Sequence, residues 1–261
     1  MKFRTPFSIV MATLFLGPIL WVLLGAFRYG EVNISFQNFS RLFTYGEGLA
    51  TYLKNTLLVV LITVVGSLIV SLFAGYAFAR INFRGSKFLF IAILSILMVP
   101  HASLLIPLFI WLSKLHLGNS LIGLSFVMIM YQLPFSVFMM RNSFESVPKE
   151  LDEAAMIDGC GRLKMIFLVL LPAVSPGLIT VGLFAFLAAW NEFITALILL
   201  NDGSKFTIPL MLVNLVRGDF GSIDFGALQA GIVISAAPCV LLFFILQKHF
   251  VGGFTAGAVK G

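Results

Sequence analysis

The sequence is poor in charged residues. Asp, Glu, Lys and Arg make up 11% of its 261 residues, whereas hydrophobic residues make up 60%. Soluble domains carry about 25% charged residues, so this composition excludes an ordinary water-soluble protein. A membrane β-barrel is disfavoured as well, because its strands would alternate polar and apolar residues. We therefore expect an all-α membrane protein in which the apolar residues face lipid or one another.

The sequence also lacks the motifs of catalysis and of metal binding. Cys160 and Cys239 are its two cysteines, and they have neither metal-ligand spacing nor an obvious bridging partner. The phosphate-binding pattern G-x-x-x-x-G-K-[ST] does not occur. We expect no catalytic residue, no metal and no bound cofactor. The net charge of +6 does not indicate nucleic acid, because the basic residues punctuate apolar runs instead of sharing one polar face.

Long apolar runs are what the sequence does contain. A helix needs about 20 predominantly apolar residues to cross the hydrocarbon core of a bilayer. Six runs meet this length and predict six transmembrane helices in one domain, residues 1–261. The predicted spans are residues 6–27, 55–79, 88–110, 121–140, 172–200 and 226–247. The first run is too long for the apolar core of a signal peptide, which is about 7 to 15 residues, so we predict that it is an anchor.

The distribution of Lys and Arg predicts the orientation of these helices, because positively charged connections tend to stay in the cytoplasm. With the amino terminus inside, eleven of the 17 basic residues fall on the cytoplasmic side and six on the outer side. The cytoplasmic set is Lys2, Arg4, Arg80, Arg84, Lys87, Arg141, Lys149, Arg162, Lys164, Lys248 and Lys260. Both termini are therefore predicted to be cytoplasmic.

One polar connection, residues 141–168, is longer than the others and mixes charges of both signs. A proline followed by three acidic residues suits the start of a helix, and Gly159 offers a stop signal. We predict a short helix over residues 148–158, between the fourth and fifth spans. Its apolar residues allow two interpretations. The helix is either a cover over the end of the bundle or a docking helix whose small Ala154 and Ala155 admit another protein's groove.

This connection resembles a known motif. It consists, in order, of Glu153-Ala154-Ala155, three residues, Gly159, nine residues, Val169, one residue and Leu171-Pro172. This pattern is similar to the EAA loop of ABC importer permeases, in which isoleucine is usual at the Val169 position. The resemblance implies a coupling helix seated in a cleft of a cytoplasmic ATPase. The residues to which it assigns ATPase coupling are Glu150, Glu153, Ala154, Ala155, Ile157, Asp158, Gly159, Leu171 and Pro172.

Other segments resemble the carbohydrate branch of that family. These segments are residues 247–261, the string Trp190-Asn191-Glu192-Phe193 and residues 52–56. They are similar to the smaller of the two paired permeases in importers of the maltose-transporter type. The resemblance covers nearly the whole chain. It implies a non-catalytic subunit that forms half of the translocation pathway of an ATP-driven, binding-protein-dependent sugar importer. Such a subunit is a multi-pass protein of a bacterial or archaeal cytoplasmic membrane.

The resemblance also implies partners: a second homologous permease, an ATPase dimer that uses ATP and Mg, an extracytoplasmic solute-binding protein and the lipid bilayer, with no nucleic acid. The outer connection 201–224, with a short interfacial helix, would receive the binding protein. The tail 248–261 would reach between the ATPase subunits, although its Gly-rich composition also suits a frayed terminus. The tail residues assigned to this contact are Gly253, Thr255, Gly257 and Lys260.

Glu192 is the only carboxylate inside a predicted span, so we expect it to face the bundle interior or a water-filled cavity. With Trp190 and Asn191 it offers an aromatic face, an amide and a charge, which suit sugar hydroxyls along a substrate path. The alternative is a structural hydrogen bond across helices. His101 and His116 are interpreted as packing residues, because a proton relay would require several acids or histidines in series.

Two other functions stay open at this point. A permease for a non-sugar solute would carry the same coupling motif. An ion-coupled secondary carrier would require ion-binding acids at mid-membrane and internal repeats, neither of which is evident, and it would leave the EAA loop without a role.

Overall fold

The structure is a computed structural model, which describes residues 4–30, 34–217 and 223–258. Short loops join its helices. In chain order the helices are α1 (Arg4–Phe27), α2 (Gln37–Thr44), α3 (Leu49–Arg80), α4 (Ser86–Ser95), α5 (His101–Lys114), α6 (Leu121–Glu145), α7 (Glu150–Ile157), α8 (Arg162–Met165), α9 (Leu171–Ala173), α10 (Ser175–Trp190), α11 (Ile194–Leu199), α12 (Ile208–Arg217) and α13 (Phe225–Ala258). Three further turns are a 3-10 turn after α4 (Ile96–Met98), a π turn between α8 and α9 (Ile166–Leu170) and a 3-10 turn after α11 (Gly203–Lys205).

The predicted all-helical membrane fold is confirmed. Four helices are by themselves long and apolar enough to cross a membrane, and they are Val10–Phe27 within α1, all of α3, all of α6 and Phe225–Gln247 within α13. Two further candidates are pairs of helices joined at a sharp bend, α4 with α5 and α8–α9 with α10. If each bent pair is one crossing, the described residues contain up to six spans.

Two of the predicted spans are interrupted. Residues 88–110 divide at Val99 and Pro100 into two arms bent by 102°. Val99 has an extended backbone, with ψ of 122°, because a residue that precedes proline is disfavoured in the helical region. Residues 172–200 divide as well. An 82° bend precedes α10, and three residues separate α10 from α11.

The contacts divide the chain into two compact units. The first unit comprises residues 1–54 and 206–261. In it, the buried Asn38 donates from Nδ2 to the carbonyl oxygens of Ala26, at 3.0 Å, and Arg28, at 2.8 Å. These carbonyls lie at the end of α1, where helical carbonyls have no partner within the helix. Asn38 therefore caps α1 and contributes to the packing of α1, α2 and α13.

The second unit, residues 55–205, has its buried core at the end where α3 and α6 finish. Two glycines allow the close packing of its long helices. A Cβ atom at Gly75 would lie 2.6 Å from Cβ of Met140, and one at Gly177 would collide with the Ser143 side chain. The buried core residues are Leu72, Tyr76, Met140, Phe144, Val147, Ala155, Met165, Ile166, Leu170, Val174 and Val181. The connection that contains α7 is thus attached to the buried core of the unit.

Candidate functional site

The helix predicted over residues 148–158 is observed as α7, and its sequence explains where it begins and ends. Three acids occupy its first turn, where the helix dipole favours negative charge. At the other end, the amide of Gly159 donates to the Met156 carbonyl at 3.1 Å, and that of Cys160 donates to the Ala155 carbonyl at 2.9 Å. This pair of bonds is a Schellman motif.

Gly159 is required by its backbone conformation. Its φ is +80°, in the left-handed region that favours glycine. A Cβ atom at Gly159 would meet nothing within 4 Å in this chain, so crowding within the chain does not account for the glycine. The residue stops α7 and leaves the adjoining surface open.

The orientation of α7 differs from that of an ordinary amphipathic helix. Its buried residues are Asp152 and Ala155. Its larger apolar side chains point outward, with Ile157 85% exposed and Met156 53% exposed. The interpretation of the helix as a cover with its apolar face on the bundle is therefore wrong. An uncovered apolar tip favours the docking interpretation.

A buried ion pair holds α7 against the bundle. Nε of Arg80, the last residue of α3, lies 2.9 Å from Oδ2 of Asp152, and these side chains are only 5% and 11% exposed. The contact is an ion pair and not an aligned hydrogen bond. Arg80 also donates from Nη2 to the carbonyl of Val147 at 2.8 Å. One guanidinium therefore joins α3, the turn before α7 and α7 itself.

The chain returns from α7 to the bundle through the π turn. Ile166 and Leu170 in this turn are buried, and the turn contacts α7. Single π turns within helices are frequent at functional sites. The helix α7 thus has two attachments, the ion pair with α3 and the π turn that leads into α10.

The residues assigned to ATPase coupling divide by exposure. Ala155 is buried in the core of the second unit, so its small side chain lets α7 sit close to its own bundle. Leu171 packs against the same core, and Pro172 is exposed. The remaining assigned residues are exposed, and they are Glu150, Glu153, Ala154, Ile157, Asp158 and Gly159.

Arg80 and Asp152 were not assigned to the site from the sequence. Arg80 contributed only to the prediction of orientation, and Asp152 only to that of a helix start. A charged residue at the end of an apolar run was the available signal, but nothing in the sequence paired it with an acid 72 positions later.

The residues proposed for a substrate path lie at the break between α10 and α11. Trp190 is 1% exposed and stacks on Phe186, with ring centroids 5.5 Å apart, so it does not present a free aromatic face. Asn191 is exposed, and its side chain donates to the Leu187 carbonyl at 2.8 Å. Glu192 accepts a hydrogen bond from the amide of Thr195 at 2.6 Å. Glu192 therefore caps the first turn of α11.

A tyrosine that the sequence reasoning missed lies beside this break. The Tyr131 ring stacks on His101 with centroids 4.1 Å apart and an interplanar angle of 4°, which confirms a packing role for His101. The Tyr131 hydroxyl also donates to the His101 carbonyl at 3.5 Å and lies near enough to Glu192 to interact with it electrostatically. The break therefore holds a small cluster of polar side chains.

Polar contacts join the loops at the opposite end of the second unit from α7. The side chain of Asn55 donates to the Ser204 carbonyl at 2.9 Å, and the Asn201 amide donates to Oδ1 of Asn119 at 3.1 Å. Asp202 accepts from the Ser204 hydroxyl at 2.7 Å and from the Ser204 amide at 3.0 Å. Both hydrogen bonds lower the pKa of the Asp202 carboxyl, and the bond from the Ser204 hydroxyl has the larger effect.

Two other predicted contact regions are described in part. The short helix predicted in residues 201–224 is observed as α12, which packs on α13, while residues 218–222 lie outside the described residues. The predicted tail contacts Gly253, Thr255 and Gly257 fall in the last turns of α13. Lys260 lies outside the described residues.

Comparison with known proteins gives matches along nearly the whole chain. The family described as binding-protein-dependent transport system inner membrane component matches residues 67–255. The trehalose/maltose transport system permease protein MalG of Thermococcus litoralis is 34% identical over 264 residues, which cover 97% of this chain and 95% of that protein. The diacetylchitobiose uptake system permease protein DasC of Streptomyces coelicolor is 33% identical over 270 residues, which cover 97% and 96%.

A solved structure shares the fold. It is a chain of a bacterial ABC transporter involved in the import of the acidic polysaccharide alginate, with a TM-score of 0.82, 24% identity and coverage of 95% of both chains.

Proposed function

The chain belongs to the family of binding-protein-dependent transport system inner membrane components, and from this premise we propose that it is a permease subunit of an ATP-driven sugar importer. It is a multi-pass inner-membrane protein. Relatives named for trehalose and maltose and for diacetylchitobiose support sugar over a non-sugar solute. The match to transport permeases over 97% of the chain argues against an ion-coupled secondary carrier.

The exposed apolar tip of α7 is the observation that carries the coupling proposal. A cytoplasmic ATPase dimer that closes on ATP and Mg binds this tip and moves α7 as a rigid body. The ion pair between Arg80 and Asp152 passes the movement to α3, and the π turn passes it to α10. Because the ATPase favours one arrangement of these helices over another, nucleotide binding shifts the populations of the inward-open and outward-open states.

The other partners follow from the same assignment. A second permease completes the pathway, and an extracytoplasmic binding protein delivers the sugar to the outer loops, including the loop between α11 and α12. The tail residues Gly253, Thr255, Gly257 and Lys260 form a second contact with the ATPase. The chain itself catalyses no reaction and binds no cofactor, because ATP and Mg are used by the ATPase.

A cross-linking experiment tests the coupling proposal. Ile157→Cys is introduced into a chain whose Cys160 and Cys239 are replaced by alanine, and the chain is purified with the subunits that copurify from its host. We expect a short thiol-to-amine bifunctional reagent to join residue 157 to the ATPase, with a yield that changes when a non-hydrolysable ATP analogue is added. Ser204→Cys, exposed at the other end of the second unit, is the matched control and should give no such product.

Copurification of an ATPase also separates this function from the alternatives. A chain that transports without any nucleotidase would be an ion-coupled carrier. A complex whose binding protein is stabilised by non-sugar solutes, but not by a panel of saccharides, would be an importer of another substrate class. Thermal-shift measurement of the binding protein reports this, since ligand occupancy raises its melting temperature.

The substrate-path proposal is sharpened by the structure. Asn191 is exposed at the helix break. Its side chain keeps one amide hydrogen and its amide oxygen for sugar hydroxyls. Trp190, in contrast, is buried and supports the break from within. Mutation can separate two properties of Glu192. One is the hydrogen bond that caps α11, and the other is the negative charge of the carboxylate.

Glu192→Gln retains an oxygen that accepts the hydrogen bond from the Thr195 amide but removes the charge. We expect sugar uptake in this variant to stay within about twofold of wild type, because the cap persists. Glu192→Ala removes the cap and should lower stability by about 1 kcal/mol, as loss of a helix cap typically does. Uptake kinetics and thermal melting of the purified complex measure the two effects. A KM changed several-fold in Glu192→Gln alone would contradict a purely structural role and place the charge in the pathway.

A further inference from the structure

A cavity lies in the second unit near the end that carries α7, and the coupling function does not use it. Its volume is about 370 Å³, within the range of about 300–1,000 Å³ that is typical of small-molecule sites. It opens between the start of α4 and the end of α6. Its lining residues are Phe78, Ser86, Lys87, Phe90, Ile91, Leu94 and Arg141.

One rim of this cavity is positively charged. Lys87 and Arg141 both line it, and Glu145, which lies 2.7 Å from Nη2 of Arg141, neutralises only one of these two charges. Ser86 begins α4, so the positive end of that helix dipole falls at the same rim. The exposed Arg84 precedes it by two residues. The rim therefore favours an anion.

Arg141 is held in place before any ligand arrives. Its guanidinium carbon lies 4.2 Å from the centroid of the Phe90 ring, a cation–π contact that orients the planar group. Its Nε is buried and has no hydrogen-bond acceptor within the described part of the chain. The contact with Phe90 therefore sets the orientation of the guanidinium before a ligand binds.

The rest of the cavity is apolar. The rings of Phe78 and Phe90 pack 5.5 Å apart, and Ile91 and Leu94 continue the apolar wall along α4. Ile91 is 66% exposed, so the wall opens outward on a helix of a membrane-embedded unit. An occupant must combine an anionic head with a hydrocarbon tail, and it must be available at the level where the predicted cytoplasmic loops meet the bilayer.

We propose that this cavity binds one anionic phospholipid, with its phosphate between Lys87 and Arg141 and an acyl chain along Ile91 and Leu94. Basic pockets between transmembrane helices on the cytoplasmic side are suited to anionic headgroups. A free phosphate would leave the apolar wall uncovered, and an acidic peptide would not match it. Phe78 of α3 and Arg141 of α6 line the cavity, α3 is also the helix whose Arg80 pairs with Asp152 of α7, and a bound lipid would tie the ends of α3 and α6 to α4.

Native mass spectrometry of the full-length chain, purified with the subunits that copurify, tests this site. The protein is delipidated, then titrated with phosphatidylglycerol or with phosphatidylcholine of the same acyl chains, without nucleotide or sugar, so that the result does not depend on transport. We expect one phosphatidylglycerol to be retained in preference to phosphatidylcholine. In the double variant K87Q/R141Q its retention should fall about 30-fold, since each basic residue near the membrane surface contributes about a factor of five.

Matched variants separate this site from general charge effects and from misfolding. K149Q/K164Q removes two exposed cations from the same end of the unit, outside the cavity, and should retain the lipid. Ile91→Trp fills the apolar part while both cations remain, and it should lose the lipid without any loss of charge. Equal retention of the two lipids by wild type would overturn the proposal. So would an equal loss in K149Q/K164Q, displacement of the lipid by millimolar inorganic phosphate, or full retention in Ile91→Trp.

Discussion

Replacing Arg80 by glutamine is expected to uncouple ATP hydrolysis from transport. The change leaves the Asp152 carboxylate buried without its cation, and breaking a buried ion pair by removing one partner costs roughly 3–5 kcal/mol. This cost weakens the packing of α7 against the bundle. The substitution also removes the hydrogen bond from Arg80 to the Val147 carbonyl, in the turn before α7. In the reconstituted complex we expect sugar uptake to fall at least tenfold, while ATPase activity loses its dependence on the sugar-loaded binding protein.

A double-mutant cycle distinguishes coupling from simple damage. Asp152→Asn removes the other charge, and R80Q/D152N leaves neither charge unpaired, so the double variant should be less impaired than Arg80→Gln alone. Arg84→Gln, which removes an exposed cation four residues beyond Arg80, should behave as wild type. Purely additive effects of the two substitutions would show that Arg80 and Asp152 act independently, contrary to the ion pair.

Gly159→Val is expected to disrupt the end of α7. A left-handed backbone costs an L-residue roughly 1–2 kcal/mol, and a β-branched side chain is among the least tolerant of it. The Schellman hydrogen bonds that position Cys160 after the helix should then be lost in a large fraction of molecules. We expect sugar uptake to fall about tenfold while membrane insertion, measured by the amount of chain in the membrane fraction, persists.

Two variants identify the cause of that loss. Asparagine tolerates the left-handed region, so Gly159→Asn should retain most of the uptake although its side chain is bulky. Gly161→Val places the same valine two residues away, where φ is −65°, and should be nearly neutral. If Gly159→Asn is as impaired as Gly159→Val, the size of the side chain against the ATPase, and not the backbone conformation, requires the glycine.

The helices of the bundle were predictable because their signal is local. Apolar runs of sufficient length place α1, α3, α6 and α13 directly, and Gly159 marks the end of α7 within the printed sequence. The bends were harder to predict, since Pro100 breaks a helix whereas Pro134 lies inside the continuous α6. A proline's effect depends on whether neighbouring groups satisfy the freed carbonyl, which no single segment shows.

The site was predictable in position but not in orientation. Spacing placed α7 correctly, yet an eight-residue helix with mixed charges does not reveal which side is buried. The inward side is set by Arg80, which lies far away in the sequence, and by the close fit of Ala155 on the core. The free aromatic face expected at Trp190 was wrong for a related reason. An aromatic residue beside polar ones can stack on a sugar or on another ring of the bundle, and only the packing around it, here against Phe186, decides between the two.

The outward direction of Leu151, Met156 and Ile157 also matters before assembly. A copy of this subunit made in excess of the ATPase carries three large apolar side chains on an aqueous loop, 41%, 53% and 85% exposed. Exposed apolar groups of this kind favour aggregation. If α7 docks on an ATPase as proposed, an excess of this subunit over its partner is therefore expected to aggregate more readily than the assembled complex.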